Sequence, residues 1–487
     1  MRILLVKPRA RLATIRGLER FQRLEPLELG YVAAAVPPGH EVRVLDLRLS
    51  RWPERRFART LGEYRPDLLG ITAYTHEATV ALALARTGAR LLPGLRSVVG
   101  GHHATVRPAD FDDEAVAAVV RGEGCGPMRA IVTRLARRES LEGIADVWVP
   151  GGRATPGDWP SYPDPATLPV PRRDLWRAAD YHCVWTAESP RPWQPLFPAT
   201  ASVRATWGCR MRCTFCVVPF LSHGHHHARP VAAVADEIAA LEADHVYFVD
   251  DEGFLDEEHA AALAEALAAR GVRKRYHSWA RATTVLRSPE LFRRWREIGL
   301  DTVFVGFEFS SDEELRAVQK GATVAANERA LDRLRAMGIA VHAGFMVRAE
   351  YGEEEFDRLR TYVDGLPPAE CSFTVCTPSP GTEDHARMEG SFWVDDPRAL
   401  HDCMHPLTPT RLPLRRFAAR YAEQVAAGIA RTPLRAERHP IRPHDLARAL
   451  WAERRYVASY RELYRDYPRG LWDASGDASG NAAAGAA

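Results

Sequence analysis

The chain has 487 residues, of which 46% are hydrophobic and 26% are charged. This composition is that of an ordinary globular protein, and it excludes disordered, collagenous and membrane classes. Because 65 basic residues are balanced by 63 acidic ones, the net charge is +2 and provides no basic field for nucleic acid or an anionic membrane. The length predicts two or three domains of about 100 to 200 residues each.

The N-terminal segment MRILLVKPRARL has only a short apolar run, and no stretch approaches the roughly 18 apolar residues of a membrane span. Eight cysteines in a chain of this length are too few for a secreted disulfide scaffold. We therefore expect a cytoplasmic protein without a transmembrane segment. The oligomeric state is left open.

Residues 1–145 alternate short β-type runs with amphipathic helical stretches, which predicts a doubly wound, Rossmann-like parallel sheet. The predicted strands cover residues 3–6, 42–47, 68–73, 97–100 and 118–120. Ligands of such sheets bind beyond the carboxyl ends of the strands. The residues at three of these ends are Thr72, Ala73, Tyr74, Gly100, Gly101, His102, Gly122 and Glu123. Glycine at these positions is typical both of backbone lying close to a ligand and of simple turns.

Residues 146–198 are rich in proline, which is incompatible with regular helix or central sheet, so a linker between domains is predicted. A second alternation of strands and helices fills residues 199–395 and predicts a full or partial (β/α) barrel. Its predicted strands cover residues 202–206, 245–249, 275–279, 302–307, 341–347 and 372–375. Residues 396–473 have a mostly helical pattern, and residues 474–487 lack the apolar content needed for a fold, so a disordered tail is predicted.

Three cysteines follow the first strand of the predicted barrel, in the sequence TWGCRMRCTFC. Cys209, Cys213 and Cys216 have the spacing C-x3-C-x2-C. A structural zinc site needs four ligands, which the histidines at 225–227 could complete, although a polar surface loop is the simpler explanation of those histidines. Three thiolates on one short loop instead suit a 4Fe-4S cluster whose fourth iron has no protein ligand.

This cysteine triplet resembles that of the radical S-adenosylmethionine (SAM) enzymes. The resemblance implies that the open iron chelates SAM, and that the reduced cluster splits SAM into methionine and a 5′-deoxyadenosyl radical. It also implies SAM contacts from residues within the triplet and after strands two, three and four of the barrel. These residues are Phe215, Asp250, Asp251, Arg281 and Glu308. No catalytic acid or base is identified.

Two other segments bear on this resemblance. The turn at residues 377–382, Thr-Pro-Ser-Pro-Gly-Thr, is similar to a Pro-x-Pro-Gly-Thr turn of the superfamily. Many relatives have Gly-x-Pro-Gly-Glu after strand five, whereas residues 347–353 here read Val-Arg-Ala-Glu-Tyr-Gly-Glu. The SAM contact made by that segment is therefore not expected.

The first domain, with VVGGHHAT followed by VVRGEG, resembles the cobalamin-binding domain of the cobalamin-dependent radical SAM class. The Asp-x-His-x-x-Gly motif that supplies an axial histidine in other cobalamin proteins is absent. His76 is a candidate for the lower face of the corrin, although a loop histidine is the simpler interpretation. Segments at 23–27, 271–276 and 409–414 resemble the hopanoid C-methylase branch and indicate the subfamily, but they do not fix the substrate.

The resemblance implies a C-methyltransferase that acts on an unactivated carbon of a lipid or secondary metabolite through a deoxyadenosyl radical and methylcobalamin. The implied cofactors are a 4Fe-4S cluster, SAM and cobalamin, and the implied partners are a small-molecule substrate and a flavodoxin or ferredoxin-type electron donor. One alternative uses the same cofactors for oxidation, rearrangement or cyclisation. Another is a non-catalytic zinc or cobalamin-binding regulatory protein. Residues 400–470 are expected to cover the active site.

Overall fold

The structure is a computed structural model that describes residues 1–10, 18–151, 164–185, 195–431 and 442–476. These residues form two compact units. The first comprises residues 1–10, 24–151 and 164–180, and the second comprises residues 18–23, 181–185, 195–431 and 442–476. Parts of the predicted linker, at 152–163 and 186–194, lie outside the described residues, as does most of the predicted tail, at 477–487.

The first unit is built on a six-stranded sheet whose order is β2-β1-β3-β4-β5-β6. The strands are β1 Arg2–Lys7, β2 Glu41–Asp46, β3 Leu68–Thr72, β4 Arg96–Gly100, β5 Ala118–Val120 and β6 Val147–Trp148. All neighbours are parallel except β5 and β6, which pair antiparallel. The predicted doubly wound sheet is therefore confirmed, and β6 is an additional edge strand that the sequence did not indicate.

Helices cover both faces of this sheet. They are α1 Leu27–Ala35, α2 Pro53–Tyr64, α3 Ala78–Leu91, α4 His102–Val106 and α5 Cys125–Ala136. Leu69 and Ile71 of β3 belong to a buried cluster with α2 and α3, whereas Leu68 belongs to a second cluster with α1 and α5. Because β3 is buried on both faces, its sequence LLGIT shows no alternation between apolar and polar residues.

The second unit contains a parallel six-stranded sheet in the order β12-β11-β10-β9-β8-β7. The strands are β7 Thr200–Val203, β8 His245–Phe248, β9 Arg275–Ala280, β10 Leu300–Glu308, β11 Ala340–Val347 and β12 Glu370–Val375. Within the described part of the chain, β7 and β12 do not pair with each other. Of the two forms that the sequence allowed, the (β/α) barrel is thus the partial one.

Helices pack on the outer face of this sheet and extend beyond it. They are α6 Val218–Leu221, α7 Val231–Ala240, α8 Glu257–Ala269, α9 Ala282–Arg287, α10 Pro289–Glu297, α11 Asp312–Ala317, α12 Val324–Ala336, α13 Glu353–Gly365, α14 Glu383–Met388, α15 Leu414–Ala430 and α16 Pro443–Arg461. The outward side chains of the strands, such as Val246, Val303 and Phe345, join the helices in one buried core. The alternate side chains of each strand therefore point to the inner face of the partial barrel.

The last two helices pack on the edge strand β12. A Cβ atom at Gly428 of α15 would lie only 2.2 Å from the carbonyl oxygen of Cys371, so a glycine is needed where the helix meets the strand. The Tyr421 hydroxyl donates a hydrogen bond to the carbonyl of Phe373 (2.9 Å), and the Tyr421 and Tyr460 rings, on α15 and α16, have centroids 4.9 Å apart. The predicted helical C-terminal region therefore exists and is attached to the barrel.

A buried histidine fixes the segment between β12 and α15. The imidazole of His405 is fully buried between two carboxylates, with Nδ1 3.0 Å from Asp402 and Nε2 3.2 Å from Asp466. Burial by itself would lower the pKa of His405, but the two carboxylates outweigh it and raise the pKa to about 9. His405 therefore carries a proton at neutral pH and links the segment to the turn that follows α16.

We expect the substitution His405→Ala to lower the free energy of unfolding by about 3 to 5 kcal/mol, because it leaves the buried carboxylate of Asp402 without a cation. The pKa is raised on folding, so this stabilisation is complete below about pH 6.5 and is lost as the pH rises through about 9. Denaturant titrations from pH 6 to 10 would measure both effects. The exposed His444, 3.5 Å from Asp445, gives a control: His444→Ala should change the stability by less than about 0.5 kcal/mol.

Candidate functional site

The loop that carries the cysteine triplet is shaped by the residues just before it. Thr206–Trp207 forms a short antiparallel ribbon with His227–Ala228, and the Trp207 ring stacks on His227 with centroids 5.4 Å apart. Gly208 follows with a φ of +85°, and a Cβ atom there would lie 2.2 Å from the carbonyl oxygen of His225. Only glycine fits this position, so the histidines at 225–227 help to form the turn into the triplet.

The zinc alternative finds no support in this geometry. In the ranges that the structure describes, no three His, Cys, Asp or Glu side chains lie close enough to hold a single metal ion. The three thiols are free of disulfides, with Cys213 buried and Cys209 and Cys216 half-buried. They are the donor set that the spacing predicts for a cluster in which each thiolate binds a different iron.

The environment of the thiols fits a metal cluster better than free thiolates. Burial, with a contribution from the neighbouring thiols, raises the pKa of Cys216 to about 12 and also raises that of Cys209. Thiolates would therefore be unstable here without a positive partner. The guanidinium of Arg281 supplies one such charge, with Nη1 3.8 Å from the Cys213 sulfur, and iron would supply the rest.

Two carboxylates after β8 hold the triplet loop in place. Asp250 accepts a hydrogen bond from the backbone N–H of Ala205 (2.8 Å), and Asp251 accepts one from the N–H of Gly208 (2.7 Å). Asp250 is buried, and burial raises its pKa to about 7. These residues are predicted SAM contacts, and in the structure each also ties the loop to the barrel.

The strand ends β9 and β10 bring three further charged groups together. Arg281 donates a hydrogen bond to the carbonyl of Lys320, and the Lys320 amine lies 2.6 Å from the carboxylate of Glu308. Glu308 has a φ of +65°, unusual for a residue with a side chain, and a Cβ at Gly306 would lie 2.1 Å from the Glu308 carboxylate. Arg281 and Glu308 are predicted site residues that the fold does bring together.

Sequence reasoning missed two members of this group, Lys320 and Glu252. Glu252 is buried, accepts a hydrogen bond from the N–H of Arg281 (3.2 Å), and has a pKa raised by burial to about 7. The sequence did contain a signal for Lys320, because it is one of only three lysines in a chain whose basic residues are otherwise arginine. Glu252 directly follows the predicted pair Asp250 and Asp251.

The other segments singled out in the sequence also border the loop. Phe215 packs against Phe309, Leu315, Val318 and Met346. The Thr-Pro-Ser-Pro-Gly-Thr turn follows β12, and its Gly381 has a φ of +91° and lies so close to Phe220 that a Cβ would be 2.7 Å from the ring. The cysteine loop is further tied on both sides, because the N–H of Thr214 donates to Val318 and its carbonyl accepts from Asp384.

In the first unit, the predicted cobalamin residues form the carboxyl edge of β3, β4 and β5. Gly101 adopts φ 94° and ψ −167°, and a Cβ there would lie 2.7 Å from the Thr72 hydroxyl and 2.9 Å from the Ala73 nitrogen. Such backbone is accessible to glycine alone. The N–H of Gly122, whose φ is +70°, donates to the Thr105 hydroxyl (2.9 Å). Small residues therefore keep the Thr72, Ala73 and Gly100 edge flat.

Aromatic rings stand beside this glycine edge. The Tyr74 ring is 49% exposed, and it contacts the rings of His76 and His102, with centroids 5.9 and 5.7 Å away. Burial lowers the pKa of His102 to about 4, so its imidazole is neutral. A flat backbone edge with an exposed ring and a neutral imidazole fits the face of a large macrocycle. Glu123 instead accepts a hydrogen bond from the N–H of Cys125 and caps α5.

A buried lysine, which the sequence prediction did not include, supports Tyr74. Lys7 ends β1 and lies 3.2 Å from Glu28 and 3.5 Å from Glu77, and its amine is 4.5 Å from the centre of the Tyr74 ring. Burial opposes the charge of Lys7, but Glu77 and Glu28 outweigh it and raise its pKa. The Lys7 ammonium group thus stabilises the position of the Tyr74 ring through a cation–π contact.

Comparison with known proteins defines the class. A model described as "B12 binding domain" matches residues 14–132, and one described as "Radical SAM superfamily" matches residues 203–363. The chain is therefore a radical SAM enzyme with a cobalamin-binding domain, and its cofactors are the 4Fe-4S cluster, SAM and cobalamin of that class. In the described ranges, no helix is long and apolar enough to cross a membrane.

Individual proteins are similar to the chain over most of its length. The chain is 28% identical over 402 residues to the hopanoid C-3 methylase of Methylococcus capsulatus, covering 82% of this chain and 75% of that protein. In fold it is similar to the cobalamin-dependent radical SAM enzyme OxsB (TM-score 0.58, 17% identity, 74% of this chain and 51% of that chain). It is also similar to the methyltransferase TsrM of Kitasatospora setae (TM-score 0.57, 20% identity, 77% and 73%). The chain thus spans about half the length of OxsB.

We expect the substitution of Cys209, Cys213 or Cys216 by Ala to abolish the cluster, because each thiolate holds a different iron. Iron and sulfide content and the visible absorption of the anaerobically reconstituted protein would measure this loss. Cys403→Ala is the matched control, since Cys403 is exposed and outside the triplet, and it should keep full iron content. A cluster that survives any of the three triplet substitutions would contradict the assignment.

The glycine edge allows an equally direct comparison. Gly101 and Gly94 both have a positive φ, of 94° and 92°, but a Cβ atom meets backbone and side-chain atoms only at Gly101. We therefore expect Gly101→Ala to reduce the cobalamin retained after reconstitution at least about tenfold, whereas Gly94→Ala should retain it and lose only about 1 to 2 kcal/mol of stability. Absorption spectra after gel filtration would measure the bound corrin. Equal retention by both variants would show that the edge does not carry the cofactor.

Proposed function

We propose that this protein is a cobalamin-dependent radical SAM C-methyltransferase that acts on an unactivated carbon of a lipid or secondary metabolite. The observation that carries the proposal is the combination of a cobalamin-binding domain and a three-thiol loop in one chain, which aligns over most of its length with a hopanoid C-3 methylase. When bound, the cluster and SAM supply a hydrogen-abstracting radical and cobalamin supplies the methyl group. The protein contributes position, charge and exclusion of water.

Three thiols leave one iron without a protein ligand, and that iron is where SAM is proposed to bind. Cys209, Cys213 and Cys216 would hold the cluster, and the carboxylates of Asp250 and Asp251 would keep the loop rigid through the N–H groups of Ala205 and Gly208. A rigid loop fixes the position of the open iron relative to the strand ends. Fixed geometry of this kind lowers the entropic cost of aligning the reacting groups.

The groups at the ends of β9 and β10 are proposed to bind SAM. Glu308 would accept hydrogen bonds from the ribose hydroxyls, and the amine of Lys320, 2.6 Å away, fixes the position of its carboxylate. Arg281 would pair with a carboxylate, and its contact with Cys213 links it to the cluster loop. Phe215, Asp250 and Asp251 complete the proposed SAM site from the loop itself.

The glycine edge of the first unit is proposed to bind cobalamin. Its residues are Thr72, Ala73, Tyr74, Gly100, Gly101, His102, Gly122 and Glu123. Tyr74 offers the exposed ring and Gly101 the close backbone, whereas Glu123 would act by holding the start of α5. The neutral state of His102 favours contact with an uncharged macrocycle face over binding of an anion.

A reducing environment follows from the proposed cluster, and we propose that the protein works in the cytoplasm with a flavodoxin or ferredoxin-type electron donor. All eight cysteines are free, as expected of a protein that is kept reduced. The described parts of the segment 400–470, at 400–431 and 442–470, are proposed to border the substrate, since Val375 at the end of β12 hydrogen-bonds to Cys403 and α15 packs on the same strand.

The proposal is tested by incubating the reconstituted enzyme anaerobically with a reductant, a hopanoid and SAM labelled in its methyl group. We expect 5′-deoxyadenosine and S-adenosylhomocysteine in equal amounts, together with a labelled hopanoid or, with cell extract as substrate source, another labelled product. The Cys216→Ala variant should form none of these. Formation of 5′-deoxyadenosine without methyl transfer would overturn the proposal in favour of radical oxidation, rearrangement or cyclisation.

A further inference from the structure

The concave face of the partial barrel is unusually polar and aromatic. Strand alternation places one set of side chains outward under the helices, including Val246, Tyr276, Val303 and Val341. The alternate set must therefore point inward. It includes Tyr247 on β8, His277 and Trp279 on β9, Thr302 and Phe304 on β10, His342 on β11, and Glu370 and Ser372 on β12. Closely spaced ring contacts connect Tyr247 with His277 (4.5 Å) and Trp279 with Phe304 (4.1 Å).

His277 stands out among these residues because its hydrogen-bonding capacity is unused. The side chain is 6% exposed, and Nε2 is buried without a hydrogen-bond partner among the described residues. Leaving a buried polar atom unpaired is costly, so it calls for a partner. His342, 6.4 Å away between ring centroids, is not that partner, because its own Nε2 is 2.8 Å from the Ser372 hydroxyl.

The surroundings of His277 favour an uncharged partner. Burial lowers the pKa of His277 to about 3, so the imidazole is neutral and has one donor and one acceptor nitrogen. The charged side chains at the start of the strands have partners of their own, since Asp301 contacts both Arg275 and Arg296, and Glu370 lies 4.0 Å from Nδ1 of His342. Trp185 donates a hydrogen bond to the same Asp301 (2.9 Å) and lies 6.1 Å from His277. In the described ranges, His277 has ring contacts with Trp185, Tyr247 and His342 and no contact with an Asp, Glu, Lys or Arg side chain. A charged ligand would therefore have no direct counter-ion at His277.

We propose that the inner face of the partial barrel binds an uncharged, largely apolar part of the substrate that carries a hydroxyl or carbonyl oxygen, and that His277 hydrogen-bonds this oxygen. The aromatic rings of Tyr247, Trp279 and Phe304 supply the apolar contact, and the imidazole supplies orientation. A neutral imidazole can donate to a carbonyl or hydroxyl oxygen and can accept from a hydroxyl. This inference rests on the proposed function in taking the ligand of the barrel to be the substrate.

The test uses the reconstituted holoenzyme and three small probes that differ only in the polar group: cyclohexanol, cyclohexanecarboxylate and cyclohexylammonium. Ligand-observed NMR titrations would measure their dissociation constants. We expect cyclohexanol to bind at least tenfold more tightly than either charged probe. The His277→Phe variant should weaken cyclohexanol binding about tenfold, and His277→Gln, which keeps a donor and an acceptor, should restore most of it.

The matched control is Tyr276→Phe on the same strand. Tyr276 faces outward and its hydroxyl is also buried without a partner among the described residues, so its removal should leave cyclohexanol binding unchanged. Equal binding of the charged probes, unaltered affinity in His277→Phe, or no binding of cyclohexanol would each overturn the proposal. Cleavage of SAM under reduction, measured without any probe, should be the same in wild type and Tyr276→Phe. That measurement reports on the radical chemistry separately, so the two proposals can fail independently.

Discussion

The candidate site of the second unit depends on hydrogen bonds from backbone N–H groups to two adjacent carboxylates. Asp250 and Asp251 bind the nitrogens of Ala205 and Gly208, immediately before the cysteine triplet. The loop that carries the three thiols has no regular secondary structure to define its path. Burial also raises the pKa values of Cys209 and Cys216, which disfavours the thiolate form that a cluster requires. The hydrogen bonds to Asp250 and Asp251 at the end of β8 define the path of the loop. In the proposed site, bound iron would stabilise the thiolates.

The two units use the same arrangement at the carboxyl ends of their strands. In each unit, a glycine without a side chain allows a neighbouring group to pack against it: the Ala73 backbone at Gly101 and the Glu308 carboxylate at Gly306. In each unit, a buried lysine also pairs with a glutamate near that glycine. Lys7 binds Glu28 and Glu77, and Lys320 binds Glu308. In both places the lysine is removed from water and its charge is compensated locally, so the polar groups at the strand ends have fixed positions.

Much of the fold follows from the sequence because hydrophobic period and strand length are local properties. The strands Ala118–Val120 and His245–Phe248 lie where the apolar runs place them, to within a residue. The first barrel strand was placed too late, at 202–206, because its polar start at Thr200 faces the barrel interior and masks the apolar pattern. The two-residue strand Val147–Trp148 was missed because so short a segment is defined by its partner. The cysteine spacing identified the proposed cluster loop, but the hydrogen bond that Gly208 donates to Asp251 and the ion pairs of Lys7 and Lys320 depend on contacts between distant residues.

The three lysines of the chain have a practical consequence for its surface chemistry. Lys7 and Lys320 are buried in ion pairs, and the amine of Lys274 donates to the carbonyls of Leu241 and Ala243. Every lysine of the folded protein is therefore engaged, and positive charge on its surface is carried by arginine. Reagents directed at lysine amines, and proteases that cleave after lysine, would encounter little reactive surface until a segment opens. The reaction of Lys7 and Lys320 would then report on local opening at the two proposed cofactor sites.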